Sequence, residues 1–299
     1  NRSAAITLRR RINHLAGRDS WGVTISTFHS LAMRFLGISA ADAFPRGMDH
    51  DSDSQQQLQE VIPEAAALLD GSKEIPGMDN DQILQALIGD WSHILIDEYQ
   101  DIDQQQYAFV SAISGRVRKN PDTKLSILAV GDDDQNIYQF RGASTRFIRQ
   151  FETDYKAESR HLVENYRSTS NIISAANHLI AKNRDRMKTE HPIHINEARK
   201  SDSPGGSWHQ RDPVGKGLAQ ILLVKDGLAQ AATVLAEIRR LRNLNPGDTS
   251  WEDFAVLGRG RPQLTPIRAL LETNDIPVQW ACGISQGLPL SRLREIQEG

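Results

Sequence analysis

The stretch Ile94-Leu95-Ile96-Asp97-Glu98-Tyr99-Gln100-Asp101 decides how this chain is read. Its apolar residues fit a buried strand, and the strand delivers two adjacent carboxylates at its carboxyl end. In open α/β sheets that edge is where ligands bind. A nucleotide-hydrolysing site needs one carboxylate to hold Mg²⁺, usually through water, and a second group to orient or deprotonate the attacking water. Asp97 and Glu98 suit those two roles. Taken alone, an Asp-Glu pair after a strand reads more simply as an acidic turn capping the next helix.

A second apolar run, residues 125–130, changes that balance. It ends in Gly131-Asp132-Asp133-Asp134-Gln135, consistent with an adjacent parallel strand of the same sheet. Gln135 would then face the γ-phosphate, because an uncharged amide can hydrogen-bond to that group or to the attacking water without adding charge. The segment continues Asn136-Ile137-Tyr138-Gln139-Phe140-Arg141-Gly142-Ala143. Tyr138 and Phe140 would ordinarily be core residues, but just beyond such an edge they can stack on bases of a single strand. A third cluster, Glu164-Asn165-Tyr166-Arg167-Ser168-Thr169-Ser170, precedes a strongly amphipathic helix. There Arg167 could clamp a phosphate and Tyr166 could stack on adenine. A helix cap with a solvated Arg is the plainer reading of that cluster alone.

Outward from these clusters, hydrophobic periodicity predicts a helix over 4–15 and a strand over 22–25. The next helix is capped by Ser26 or Thr27 and stopped by Gly37. Residues 39–90 read as a small helical insertion, with a helix over 55–69. Residues 170–183 form a helix, and 187–220, rich in Pro and Gly, read as a loop-rich surface excursion. Strands over 221–224, 254–257 and 277–280 then alternate with helices over 229–242 and 263–273.

The 299 residues carry 24% charged and 39% hydrophobic side chains, the balance of a folded globular protein and not of a disordered one. That length accommodates two units. No apolar run reaches membrane-spanning length. The single cysteine, Cys282, excludes an internal disulfide framework, so a reducing, cytoplasmic setting is expected. A formal net charge of -3 confines any nucleic-acid site to a local patch. His191-Pro192-Ile193-His194 reads as a loop with two solvated histidines. The basic runs Arg9-Arg10-Arg11 and Arg239-Arg240 with Arg242 read as solvated helix faces.

With three clusters in this order, the chain resembles the UvrD/Rep/PcrA group of superfamily 1 helicases across nearly its whole length. Arg2-Ser3-Ala4-Ala5 with Leu8 and Arg11-Ile12 looks like the tail of the family's first DNA-contacting motif, and Thr27-Phe28-His29-Ser30 is similar to the next. Asp97 to Asp101, Gly131 to Ala143 and Asn165 to Thr169 resemble its hydrolysis, sensing-and-stacking and nucleotide-contacting motifs. Weaker likenesses run through Phe254 to Arg259, Ile276-Pro277-Val278 and Gly283.

The resemblance implies an α/β P-loop NTPase (RecA-like) fold, a parallel sheet with flanking helices. It divides the chain into a partial first motor domain over 1–164, with the insertion at about 38–90, and a partial second over 165–299. It implies ATP and Mg²⁺, single-stranded DNA and single-strand/duplex junctions as ligands, 3′-to-5′ movement, and a role in repair or recombination. Asp97 would bind Mg²⁺, Glu98 activate water, Gln135 and Arg167 reach the γ-phosphate, and Tyr166 pack on adenine. Thr27, His29, Tyr138, Phe140 and Arg141 would touch single-stranded DNA.

Three features depart from the family pattern. Phe140 stands where Trp is common, and the insertion is shorter than in the best-known members. Gly-x4-Gly-Lys-Ser/Thr occurs nowhere: the only Gly-Lys pair, Gly215-Lys216, is followed by Gly217 and has Gln210 where the first Gly belongs. The chain is therefore expected to be a piece from inside a longer protein, with the last family motifs beyond Gly299. Without the phosphate-cradling loop, this piece alone is expected not to hydrolyse ATP. The alternatives are a noncatalytic nucleic-acid-binding module on a helicase scaffold and a helicase subunit of an exonuclease complex.

Overall fold

The computed structural model describes residues 2–39, 52–116, 118, 120–138 and 142–280. The chain divides into two compact units, Asn1–His161 with Asp185–Met187, and Leu162–Arg184 with Lys188–Gly299.

The first unit opens with α1 (Arg2–Ala16) and α2 (Phe28–Phe35), the latter capped by the Thr27 hydroxyl, which accepts from the Ser30 amide. Gly37, at φ 69°, follows the helix end. Next come α3 (Ser52–Asp70) and α4 (Asn80–Ile88), the second with a complete capping box between Asp79 and Gln82. Strand β1 (His93–Ile96), α5 (Gln104–Ser114), β2 (Ser126–Ala129) and α6 (Arg146–Tyr155) complete the unit. β1 and β2 are parallel, with Ile94 opposite Ile127 and Ile96 opposite Ala129.

Two cores meet in this unit. Apolar side chains of α2, α3, α4 and α5 form one, so the helices expected as an insertion are fused into the unit's own interior. The other lies under the sheet, where Ile96, Tyr99 and Ile102 pack against α5 and α6. There Tyr99 meets Phe151 edge-on and Tyr107 stacks on Phe147, both pairs with ring centroids 5.1 Å apart.

The second unit holds β3 (Glu164–Asn165), α7 (Ser170–Ile180), β4 (His194–Ile195), α8 (Trp208–Arg211), α9 (Gly227–Leu244) and α10 (Arg261–Thr273). Its core joins α9 and α10 around Leu235, Ile238, Ile267 and Leu271. β3 and β4 are parallel and two residues long.

Four expectations need correction. Residues 22–25, 221–224, 254–257 and 277–280 join no ladder. Branched apolar residues favour extended backbone, but a strand also needs its N–H and C=O groups paired with a neighbouring strand, and among the described residues these runs have no such pairing. Phe254 and Val256 turn into the second unit's core instead, while Leu257 is 91% exposed and Leu223 is 93% exposed. Among the described residues the expected parallel sheet is thus present as one two-stranded parallel pair in each unit. Nor is the sheet buried on both faces: Leu95 is 74% and Leu128 55% exposed, on the side opposite α5 and α6.

The excursion at 187–220 is also more built than its Pro and Gly content suggested. It supplies β4 and α8, and the buried Asp212 carboxylate accepts two guanidinium hydrogen bonds from Arg240, at 2.9 and 2.7 Å. The basic run on α9 is accordingly structural: Arg239 bonds to Asn274 and Arg242 lies 3.9 Å over the Trp251 ring. Cys282, Gly283, Phe140 and Arg141 lie outside the described residues.

Candidate functional site

At the carboxyl end of β1 the ladder extends by two bonds: the Val130 amide donates to the Ile96 carbonyl at 2.8 Å and the Tyr99 amide to the Val130 carbonyl at 2.9 Å. Those bonds set Asp97 and Glu98 beside the turn that begins at Gly131. Glu98 sits at φ 54°, in the left-handed region that non-glycine residues adopt at a cost of about 1 kcal/mol or more. Its amide is capped by Asp97 Oδ1 at 3.0 Å. Both carboxylates face solvent.

Gln100 ties the two turns together. Its buried side chain donates from Nε2 to Glu98 Oε2 at 2.7 Å, while Oε1 accepts from the Asp132 amide at 2.9 Å. Its carbonyl accepts from Asn136 Nδ2 at 2.6 Å. A Cβ at Gly131 would lie 3.0 Å from Gln100 Oε1 and 3.2 Å from the Tyr99 and Gln100 amide nitrogens, so this crossing of the chain favours glycine. Sequence reasoning missed Gln100, although it lies inside the deciding stretch. Its side chain is buried and bonded to protein groups.

Asp132, Asp133 and Asp134 gather their carboxylates within 4.8 Å of one another, the only such group of possible metal ligands among the described residues. Asp132 Oδ1 accepts from the Asp134 amide and Oδ2 from Gln135 Nε2 at 2.7 Å, so the Gln135 carboxamide is held at the turn's exposed side. Asp101 contributes a half-buried carboxylate whose Oδ1 has no hydrogen-bond partner. Desolvation first, and the Glu98 charge second, raise its pKa above the usual carboxylate range.

Thr27 is engaged in capping α2, with its hydroxyl also donating to Ser30 Oγ at 3.0 Å. His29 presents its ring at the surface, where partial burial lowers its pKa below the ordinary imidazole value and Asp103 opposes the shift. Tyr138 is partly exposed beyond the acidic turn. Thus Asp97, Glu98 and Gln135 are brought together in the first unit, which also carries Thr27, His29 and Tyr138.

Tyr166 and Arg167 belong to the second unit. Asn165 Oδ1 accepts from the Arg167 amide at 2.9 Å and the Ser168 amide at 2.7 Å, an Asx turn that fixes the backbone. Tyr166 donates its hydroxyl to Glu164 Oε2 at 2.6 Å and leaves its ring exposed. Among the described residues the Arg167 side chain makes no ion pair. No helix among them is long and apolar enough to cross a membrane.

Comparison with known proteins adds what geometry alone does not. A family model described as UvrD/REP helicase N-terminal domain matches residues 54–156, and one described as UvrD-like helicase C-terminal domain matches residues 160–284. The chain is 44% identical over 105 residues to DNA helicase II of Haemophilus influenzae, covering 35% of this chain and 14% of that protein. It is 30% identical over 254 residues to ATP-dependent DNA helicase UvrD1 of Mycobacterium tuberculosis and 30% over 246 residues to DNA helicase II of Escherichia coli. Each of those matches covers 62% of this chain and 33% of the relative. The chain therefore spans a third or less of the length of these relatives. Their family has the P-loop NTPase helicase fold, to which the helix-rich α/β structure with its parallel strand pairs corresponds in part. Matched successively by the N-terminal and C-terminal helicase models, the chain belongs to the UvrD/Rep helicase family.

Proposed function

We propose that this chain carries the central part of an ATP-driven DNA motor that moves 3′ to 5′ on single-stranded DNA and unwinds duplex at junctions, in repair or recombination. One observation carries the reading: the paired bonds of Val130 with Ile96 and Tyr99 place the Asp97-Glu98 turn against the Asp132–Gln135 turn at one end of a parallel strand pair. Two carboxylates and a neutral amide at such an edge are among the groups that hydrolysis of a nucleoside triphosphate requires.

The donor set fits Mg²⁺, a hard cation that prefers oxygen ligands and keeps much of its water. Asp97 offers one oxygen not engaged with protein among the described residues, the other being held by the Glu98 amide. Mg²⁺ bound with ATP supplies neutralisation of the phosphate charge. Glu98, steadied by Gln100, orients and deprotonates the attacking water, and Gln135 hydrogen-bonds to that water or to the γ-phosphate without adding charge. Arg167 contributes a cation to the γ-phosphate, and Tyr166 offers its exposed ring to adenine. Thr27, His29 and Tyr138, with Phe140 and Arg141, make the DNA path. His29, its pKa lowered, serves as a neutral hydrogen-bonding group near pH 7.

The test is ATP hydrolysis by the full-length protein with and without single-stranded DNA, wild type against Glu98→Gln. Stimulation by DNA, with a loss of about 10²-fold or more in the variant, is expected. A wild type with no DNA-stimulated hydrolysis would replace the motor by a noncatalytic nucleic-acid-binding module.

A further inference from the structure

The acidic turn is held from a direction that none of the three sequence clusters indicates. Arg186 lies between two stretches of chain belonging to the second unit, yet Asp185–Met187 packs with the first. Its guanidinium grips Asp134 with both arms, Nε to Oδ1 and Nη2 to Oδ2, each at 2.8 Å. The two side chains are 10% and 12% exposed, so the pair is largely withdrawn from water and screened little by salt. The next residue adds to the grip: the Met187 amide donates to Asp133 Oδ2 at 2.7 Å. The preceding one, Asp185, pairs with Arg149 of α6.

Three successive residues thus fasten to two successive carboxylates of the turn and to the helix behind it. Asp134 is adjacent in sequence to Gln135, and both are tied to Asp132, Asp134 through its amide and Gln135 through its carboxamide. Without a cation here, three carboxylates within 4.8 Å would repel one another, and the turn would relax by moving them apart. Gln135 would move with it. A fork of two parallel hydrogen bonds resists rotation as well as separation, which a single lysine contact would not.

We infer that Arg186 is a positioning residue for the Gln135 amide, acting through Asp134, and that Asp185–Met187 is the strap that keeps the acidic turn in register. The inference rests on the proposed role of Gln135 in hydrolysis. Arg186 itself touches neither nucleotide nor DNA in this assignment.

The experiment uses the full-length protein and measures kcat and KM for ATP with saturating single-stranded DNA, together with the melting temperature. Wild type, Arg186→Gln, Arg186→Lys, Asp134→Asn and the double variant Arg186→Gln/Asp134→Asn are compared, with Glu98→Gln alongside. Arg186→Gln is expected to lower kcat about 10-fold or more while KM stays within about 2-fold, the signature of lost alignment and not of lost binding. Arg186→Lys should recover part of the rate, and the double variant should be no worse than the more impaired single one, because both substitutions break one contact. Unchanged kcat, KM rising in parallel, or fully additive losses would overturn the assignment while an active wild type and a dead Glu98→Gln keep the motor reading intact. An inactive wild type would overturn the motor reading, and the positioning role with it. Should Arg186→Gln fail to fold, the Arg186→Lys and Asp134→Asn rates decide between the same outcomes.

Discussion

In the first unit the Asp97-Glu98 turn hangs from the ends of two hydrogen-bonded strands and is cross-braced by the buried Gln100 carboxamide. In the second, the Tyr166-Arg167 turn follows a two-residue strand and is shaped by the Asn165 side chain and the Glu164 carboxylate. α7 beyond it is anchored by backbone contacts to glycine-rich turns: the Asn171 amide donates to the Pro204 carbonyl at 2.9 Å and Asn171 Nδ2 to the Gly217 carbonyl at 3.1 Å. The first turn is therefore braced by a buried side chain, that of Gln100, whereas the side chains that shape the second are half-buried or exposed. Buried, fully satisfied polar networks specify one arrangement, whereas exposed hydrogen bonds compete with solvent and hold less firmly. In the proposed motor, a unit that would place water-activating groups gains from the first kind of support, and one that would meet the nucleotide with an exposed ring and guanidinium tolerates the second.

The sharpest way to break this contrast is at Gln100. Gln100→Leu keeps the bulk of the side chain but leaves the Asp132 amide without its acceptor and frees Glu98 from its brace. Loss of the buried acceptor costs about 2 kcal/mol, and a misplaced Glu98 costs about 10²-fold in the kcat of the full-length protein. Hydrogen exchange should show amides of β1, β2 and the acidic turn opening sooner, with those of α9 and α10 unchanged. Equal loosening of both units would mean that Gln100 supports overall stability and no particular turn.

The second unit has a polar brace of its own, the buried Asp212 carboxylate held by Arg240. Arg240 holds the Asp212 carboxylate well below the usual range, with help from the Gly215 and Val214 amides, which donate at 2.9 and 3.1 Å. Since Arg240 is about a third exposed, its removal is discounted from the full cost of an orphaned buried charge. Arg240→Leu should destabilise the second unit by about 2 kcal/mol. A carboxylate with a depressed folded pKa contributes stability above its unfolded pKa and loses it as pH falls further. The gap between variant and wild type should thus be full at pH 7 and shrink below about pH 4 in melting experiments. A gap independent of pH would assign the loss to packing of the arginine stem.

What could be read beforehand follows the same divide. The parallel β1 and β2, the acidic turns at their ends and the cap at Thr27 rest on local signals: apolar runs, carboxylates at run ends, a capping residue before an amphipathic helix. The braces do not. Gln100 facing inward, Arg186 returning from 52 residues downstream to Asp134, and Asp212 burying itself on α9 are contacts between distant positions, and no periodicity encodes them. The unpaired runs at 221–224 and 254–257 fail for the complementary reason. Their composition is that of strands, but pairing is decided by a neighbour and not by composition.

The smallest effect concerns Asp101, which sits in the well-braced unit and yet has a buried oxygen without a partner. Desolvation and the nearby Glu98 charge raise its folded pKa above the unfolded value, so the ionised form is a net cost to the fold at neutral pH. That cost fades as pH falls and is gone below the unfolded pKa, where both states are protonated. Asp101→Asn removes the charge and should raise the melting temperature by roughly 1–2 °C at pH 7, with the gain vanishing near pH 4. A variant that melts lower than wild type at pH 7 would show that the carboxylate is paired in solution. A gain at neutral pH would instead place Asp101 with Glu98, whose left-handed backbone is also costly, as strain concentrated in the one turn that the rest of the first unit is built to hold.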